Sequence, residues 1–177
     1  MLSNHQLFCG ELVRLCAFRS EDASVMASWS HDAEYLRNVD SDMAVPTTEE
    51  SFQSFVGKSS NGIEFLLRTV DNDTLIGFVA LHGIEWNNQC GLLAIGIGEE
   101  NFRSKGYGTD ALRLILRYAF SELNLNRVGL DVISYNKRGI RAYEKVGFKV
   151  EGAMRESVLR DGHKYDRIIM SILRNEY

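Results

Sequence analysis

Between residues 64 and 98 the chain divides into three apolar runs of strand length, separated by Asp71-Asn72-Asp73 and Asn87-Asn88. Asn and Asp side chains bond back to nearby backbone and tolerate left-handed φ, so such clusters end one extended run and reverse the chain into the next. Three antiparallel strands are therefore expected, over about 64–70, 74–84 and 90–98. Immediately afterwards Leu112, Ile115, Leu116, Ala119 and Leu123 recur at helical spacing, with Asp110, Arg113 and Arg117 on the other faces. A long helix is predicted there.

Upstream, residues 12–18 alternate as a strand, and Ser20 offers an N-cap oxygen to a helix running to about residue 30, with Glu21 and Asp22 in its first turn. Residues 31–50 carry the acids Asp32, Glu34, Asp40, Asp42, Glu49 and Glu50 against the single base Arg37, and they hold the only proline, Pro46. They read as a loop with short helical pieces. Thr47 and Glu50 have capping-box spacing, and Phe52, Phe55 and Val56 form the apolar stripe of a second helix. Downstream, Val128, Leu130 and Val132 alternate within a strand over 127–134. Residues 137–146 form a short helix stopped by Gly147, and runs over 148–159 and 163–173 flank the hairpin signal Arg160-Asp161-Gly162. The resulting order, βααβββαβαββ, implies a mixed α/β fold, with a mostly antiparallel sheet of about seven strands flanked by helices, and not a doubly wound parallel sheet.

The chain's 177 residues, 45% of them hydrophobic, suffice for one buried core and fit a single domain over residues 1–177. A net charge of −4 supplies no general attraction for nucleic acid or anionic membranes. The longest apolar runs, such as residues 75–81, fall far short of the roughly 20 residues that cross a bilayer. No secretory pattern opens the sequence, so a cytoplasmic protein is expected. Cys9, Cys16 and Cys90 suggest neither disulfides nor a thiolate site, and His5, His31, His82 and His163 lack zinc-ligand spacing, so no metal is assigned.

Chemistry concentrates in Arg103-Ser104-Lys105-Gly106-Tyr107-Gly108, between a strand and the long helix. Unpaired amides and the helix dipole favour an anion there, Gly106 and Gly108 let a phosphate approach the backbone, and Arg103 and Lys105 add cationic donors. The alternative is a glycine turn that only starts a helix. Neither G-x-x-x-x-G-K-[ST] nor G-x-G-x-x-G is present, since the latter needs glycine at Ala111.

The R-x-x-G-x-G segment follows a strand ending Ile95-Gly96-Ile97-Gly98. A helix and a strand come next, and then the run from Asn136 through Tyr143 to Phe148. This combination resembles the GNAT family of N-acetyltransferases, in particular the subgroup of ribosomal-protein alanine and spermidine acetyltransferases. The likeness covers nearly the whole chain and is weakest over residues 31–60. It implies a three-layer fold that binds acetyl-CoA as co-substrate, with the pyrophosphate on the amides of Arg103, Ser104, Lys105, Gly106, Tyr107 and Gly108. The pantetheine is expected between splayed strands over 90–98 and 127–134, with the thioester beside the backbone of Ile97 and Gly98. Asn136 and Tyr143 are seven residues apart, two helical turns, and so share a helix face. The resemblance assigns Asn136 to the pantetheine and makes Tyr143 the general acid that protonates the CoA thiolate. A phenol with a pKa of about 10 is protonated at neutral pH and suits that role.

The implied reaction is direct attack by a primary amine, on a small molecule or a protein N-terminus, and it needs a base. Many relatives carry an acid on the strand before the loop, where this chain reads Gly91-Leu92-Leu93. His82 and Glu85, near the end of the preceding strand, are the candidate bases. Residues 31–50 either attract a cationic acceptor such as a polyamine or amino-terminal peptide, or form a solvated loop. Trp29, Tyr35 and Trp86 either line the same cleft or belong to the core. The resemblance also implies a possible homodimer. Two readings remain beside catalysis: a CoA-binding sensor without turnover, and an interaction domain whose glycine turn binds nothing.

Overall fold

The computed structural model describes residues 7–55 and 61–177. Strands β1 (Val13–Cys16), β2 (Gly62–Thr69), β3 (Leu75–Glu85) and β4 (Cys90–Ile97) are followed by β5 (Arg127–Ile133), β6 (Lys149–Arg160) and β7 (His163–Leu173). They form one sheet in the order β1-β2-β3-β4-β5-β7-β6. All neighbours run antiparallel except β4 and β5, which are joined through the helix α4 (Tyr107–Ser121) and so lie parallel. This is the mixed, mostly antiparallel arrangement expected from the element order. Between β1 and β2 stand three short helices, α1 (Asp22–Trp29), α2 (Ala33–Val39) and α3 (Glu49–Phe55); α5 (Lys137–Lys145) precedes β6.

The ends of the short helices differ from expectation. The residue before α1 is Glu21, itself helical and without a side-chain cap, so Ser20 stands one position too early. Asp22 closes this turn by accepting from the Arg19 amide at 2.8 Å, and it also forms a buried ion pair with Arg68 on β2. Asp32 caps α2, accepting from the Tyr35 amide at 3.0 Å. Before α3 it is Thr48, not Thr47, whose hydroxyl accepts from the Ser51 amide at 3.3 Å, while the Thr47 amide donates to the Ser30 hydroxyl. Val56, expected in the apolar stripe, lies outside the described residues.

Helix α4 packs Leu112, Ile115, Leu116 and Ala119 into the main core against Leu67, Val79, Leu81 and Val128. Each leucine or isoleucine so buried contributes about 1.5–3 kcal/mol relative to exposure. Asp110, placed off the apolar stripe by its spacing, is nonetheless buried, and the amides of Glu11, Leu12 and Val13 donate to its carboxylate at 3.3, 2.7 and 3.0 Å. This clamp holds β1 against the first turn of α4, directly behind the glycine loop.

At the other end of the sheet Arg127 reaches across β7 to Glu151 on β6, with contacts of 2.6 and 2.5 Å, and both bond the Ser171 hydroxyl. These partners hold the Glu151 carboxyl well below its ordinary range, at about 2. A carboxylate whose pKa is depressed by folding stabilises above its unfolded pKa, and that contribution fades as pH falls toward the folded value. Wild type is therefore expected to exceed Glu151→Gln in stability at pH 7, by about 1 kcal/mol after allowance for solvent screening of an accessible pair. Urea melts should show that difference shrinking from pH 5 and vanishing near pH 2.

Candidate functional site

The functional geometry begins with a break in the sheet. β4 and β5 pair only at Cys90↔Arg127, Gly91↔Val128 and Leu92↔Gly129. Beyond Leu92, β4 stays on β3 up to Ile97, while β5 stays on β7 up to Ile133. The facing edges part, opening a cleft of about 590 Å³. Leu93, Ile95 and Ile97 form one wall, and Val132 and Ile133 form the other. Ala142 and Tyr143 of α5 close one end, and the Ser104–Gly108 segment of the loop meets the mouth.

In that loop Ser104 and Gly106 are left-handed, with φ of 62° and 93°, and Lys105 between them is not. Such alternation turns successive amides toward one concave side, as in anion-binding nests. The amides of Ser104, Lys105, Gly106, Tyr107 and Gly108 donate to no described residue, and Gly106 is the N-cap of α4. The Arg103 amide donates to the Glu100 carbonyl at 3.0 Å. Its guanidinium, expected among the cationic donors, turns inward instead. Nε and Nη2 donate to the Ile97 and Gly98 carbonyls at 2.9 and 2.6 Å, Nη2 pairs with Asp32 at 2.9 Å, and the group lies 5.4 Å from the Tyr35 ring centre. Ile97 lines the cleft and Gly98 does not, and the carbonyls of both are already occupied. Lys105 projects into solvent, and the Tyr107 ring stacks edge-on against Phe102 at 5.1 Å.

Gly98 has a packing reason to be glycine. A Cβ there would sit 2.0 Å from the Trp29 ring, whose Nε1 donates to Glu99 at 2.8 Å. Trp29 is thus core. Tyr35 is buried as well but also faces the cleft, and burial pushes its phenol pKa up. Trp86 is exposed in the β3–β4 turn and does not line the cleft.

Asn136 caps α5 by accepting from the Gly139 amide at 2.9 Å and donates to the Asn38 carbonyl at 3.2 Å. That second bond belongs to a strap. Tyr135 donates to the Arg37 carbonyl, Arg37 pairs with Asp161 at 2.8 Å, and Arg160 donates to the Ser41 and Asp42 carbonyls at 2.7 and 2.8 Å. Together they draw the end of α2 and its following loop across the cleft, so that Asn38, Asp40 and Ser41 face it. Tyr143 sits two turns along α5, its ring 5.8 Å from Phe148, and its hydroxyl has no partner among the described residues. Burial, reinforced by the Asp131 carboxylate, pushes its pKa up to about 12. Asp131 itself is held by Arg167, with two contacts of 2.8 Å, and this pair also lines the cleft.

The two candidate bases separate. His82 faces the cleft, but Glu85 does not. A bulge between them, with Gly83 left-handed at φ 55°, breaks the alternation of the strand, and Glu85 instead accepts from the Asn88 side chain at 2.5 Å in the turn. The strap and the Asp131–Arg167 pair escaped sequence reasoning. Among the described residues no group of three His, Cys, Asp or Glu side chains is placed to hold a metal ion.

Fold and site thus define a mixed α/β protein with a loop of undonated amides at the mouth of a cleft between parting strands. A family model described as the acetyltransferase (GNAT) domain matches residues 13–149. The SPbeta prophage-derived uncharacterized N-acetyltransferase YokL of Bacillus subtilis is 30% identical over 169 residues, covering 95% of this chain and 93% of that protein. The putative ribosomal N-acetyltransferase YdaF of the same organism is 33% identical over 117 residues, 66% of this chain and 62% of that one. The solved spermidine N-acetyltransferase from Vibrio cholerae, in complex with CoA and spermine, shares the fold at a TM-score of 0.84 and 22% identity, over 93% of this chain and 97% of that one. The chain belongs to the GNAT acetyltransferase family and is an N-acetyltransferase enzyme.

Proposed function

We propose that the chain transfers acetyl from acetyl-CoA to a primary amine by direct attack in a ternary complex. The observation that carries this reading is the parting of β4 from β5 beside a loop of free amides. A long ligand with an anionic middle and an extended, amide-bearing arm finds both requirements in one channel, and the residues present fit it. When bound, acetyl-CoA supplies an electrophilic thioester carbon and a thiolate leaving group.

The amides of Ser104 to Gly108 hold the pyrophosphate, with Lys105 as a mobile counter-charge. Arg103 acts one step removed, fixing the end of β4 through the Ile97 and Gly98 carbonyls. The free edge of β4 receives the pantetheine arm as a sheet edge receives an added strand. Asn136 shapes this channel by starting α5 and tying down the strap. Tyr143 Oη, unpartnered and kept protonated, gives its proton to the departing sulfur. As the C–N bond forms and the C–S bond breaks, the sulfur gains the Tyr143 proton, and the proton given up by the nitrogen restores the Tyr143 hydroxyl through solvent. A cytoplasmic location, one N-acetyltransferase domain over residues 1–177 and a homodimer belong to the same proposal. No described helix is long and apolar enough to cross a membrane.

A thermal-shift titration with acetyl-CoA, CoA and ATP tests the binding half. A ligand at a hundredfold excess over its Kd stabilises by about 2.7 kcal/mol, or roughly 5–10 °C for a chain of this size. Acetyl-CoA and CoA are expected to do so at concentrations where ATP does not, and thiol release on adding primary amines then reports turnover. Absence of any shift, together with no heat of binding, overturns the proposal.

A further inference from the structure

Beside the cleft lies a second, partly open chamber of about 300 Å³, lined by residues of α1, α2, α3, the loop after α2 and the sheet. Its walls are apolar, with Met26, Trp29, Leu36, Val45, Phe52 and Phe78 among them. It shares Tyr35, Val39 and Asp40 with the cleft, so the two spaces adjoin across those side chains. The approach is made possible by Gly96, where a Cβ would meet Tyr35 Oη at 2.6 Å, Phe78 at 2.7 Å and Val39 at 3.1 Å.

Three carboxylates, Asp40, Asp42 and Glu64, stand around the chamber, and none has a cationic partner among the described residues. Glu64 is the one carried by the sheet. It pairs with Ala80 on β3, and Ala80 pairs with Ala94 on β4, so all three project from one face in a single row. Two strand spacings put Ala94 ~10 Å from the Glu64 backbone, and the glutamate side chain spans about half of that over two alanines that fill none of it. Ala94 lies past Leu92, where β4 has already left β5 and the cleft is open. His82 stands one row back, opposite Leu92, where the strands are still joined. Although accessible, the Glu64 carboxylate is partly desolvated by its surroundings, which raises its pKa and makes it a better proton acceptor than an ordinary glutamate.

We propose that this chamber is the acceptor site, that it selects a compact primary monoamine with an apolar substituent, and that Glu64 is the catalytic residue that takes the amine's proton. The inference rests on the acetyltransferase reading above and deepens it. One proton passes from the ammonium to the Glu64 carboxylate, leaving a neutral amine whose lone pair is free to attack a thioester held in the open cleft. A space of 300 Å³ holds roughly ten waters, so it suits an amine of about ten heavy atoms. Most of the remaining lining, Met26, Trp29, Leu36, Val45, Phe52 and Phe78 included, is apolar and suits a hydrocarbon substituent better than further ammonium groups.

The test compares phenethylamine, spermidine and an alanine-initiated tetrapeptide as acceptors by thiol release, with acetyl-CoA affinity measured separately by calorimetry. Phenethylamine is expected to show the highest kcat/KM, by tenfold or more, and to add further thermal stabilisation to the CoA-bound protein. Glu64→Gln is expected to lower kcat/KM for phenethylamine about 100-fold with acetyl-CoA affinity within twofold, and Glu64→Asp to recover part of the loss. Val45→Trp, at an exposed wall position, is expected to raise KM for phenethylamine tenfold and abolish its thermal effect. Preference for spermidine or the peptide, or wild-type kinetics in Glu64→Gln, overturns the assignment while leaving the acetyltransferase reading standing. Failure of the wild type to bind acetyl-CoA overturns both.

Discussion

Tyr143→Phe is expected to lower turnover about 100-fold or more while acetyl-CoA binds within twofold of wild type, because a positioned acid is worth about 10²–10⁴ in rate. The substitution removes one oxygen and leaves the ring, which packs edge-on against Phe148. No described residue depends on that hydroxyl for a hydrogen bond, so the fold loses nothing by its removal. Its pKa, raised to about 12, keeps the phenol protonated from pH 6 to pH 9. The loss should therefore be the same at pH 6 and pH 9, which separates a proton donor from a group that must ionise. Stopped-flow or single-turnover thiol release in both proteins checks it, and wild-type turnover where chemistry limits the rate removes Tyr143 from the mechanism.

What could be read ahead of the structure follows the range of the interactions involved. The glycine loop and the spacing from Asn136 to Tyr143 are local, set by backbone conformation and helical period within a few residues, and both were legible. Arg103 was misread because residue type suggests a phosphate ligand, whereas its guanidinium folds back on Ile97, Gly98 and Asp32 through a turn that only the packed chain defines. Asp32, counted with a solvated acidic stretch, caps α2 and neutralises that arginine. Burial and a hydrogen bond act on its carboxyl in opposite senses, and the hydrogen bonds with the Arg103 charge leave its pKa lowered. Glu85 was misplaced by one bulge: strand alternation predicts facing only while the register is unbroken, and Gly83 breaks it. Glu64 carries no local signal whatever. Its place in the site depends on two strand pairings, and on small residues at Ala80 and Ala94 that no one segment reveals.

Gly106→Val is expected to weaken acetyl-CoA binding by about 100-fold or more, and the reason lies in φ and not in a simple collision. A Cβ at this position meets only Leu12 Cδ1, at 3.4 Å, so space on the protein side is nearly adequate. The backbone, however, sits at φ 93°, a conformation that costs a β-branched residue about 1–3 kcal/mol and that the chain can escape by rotating the loop. Rotation at the N-cap of α4 swings the neighbouring amides off their common focus, and several charge-assisted hydrogen bonds to an anion weaken together. Asparagine tolerates left-handed backbone far better than valine. Gly106→Asn should therefore keep most of the affinity that valine loses, although both add a side chain at the same place. Calorimetry on the three proteins, with melting temperatures taken without ligand, distinguishes the causes. Equal losses for Asn and Val point to crowding of the anion, a loss confined to Val points to the backbone conformation of the nest, and no loss in either removes the loop from the binding site.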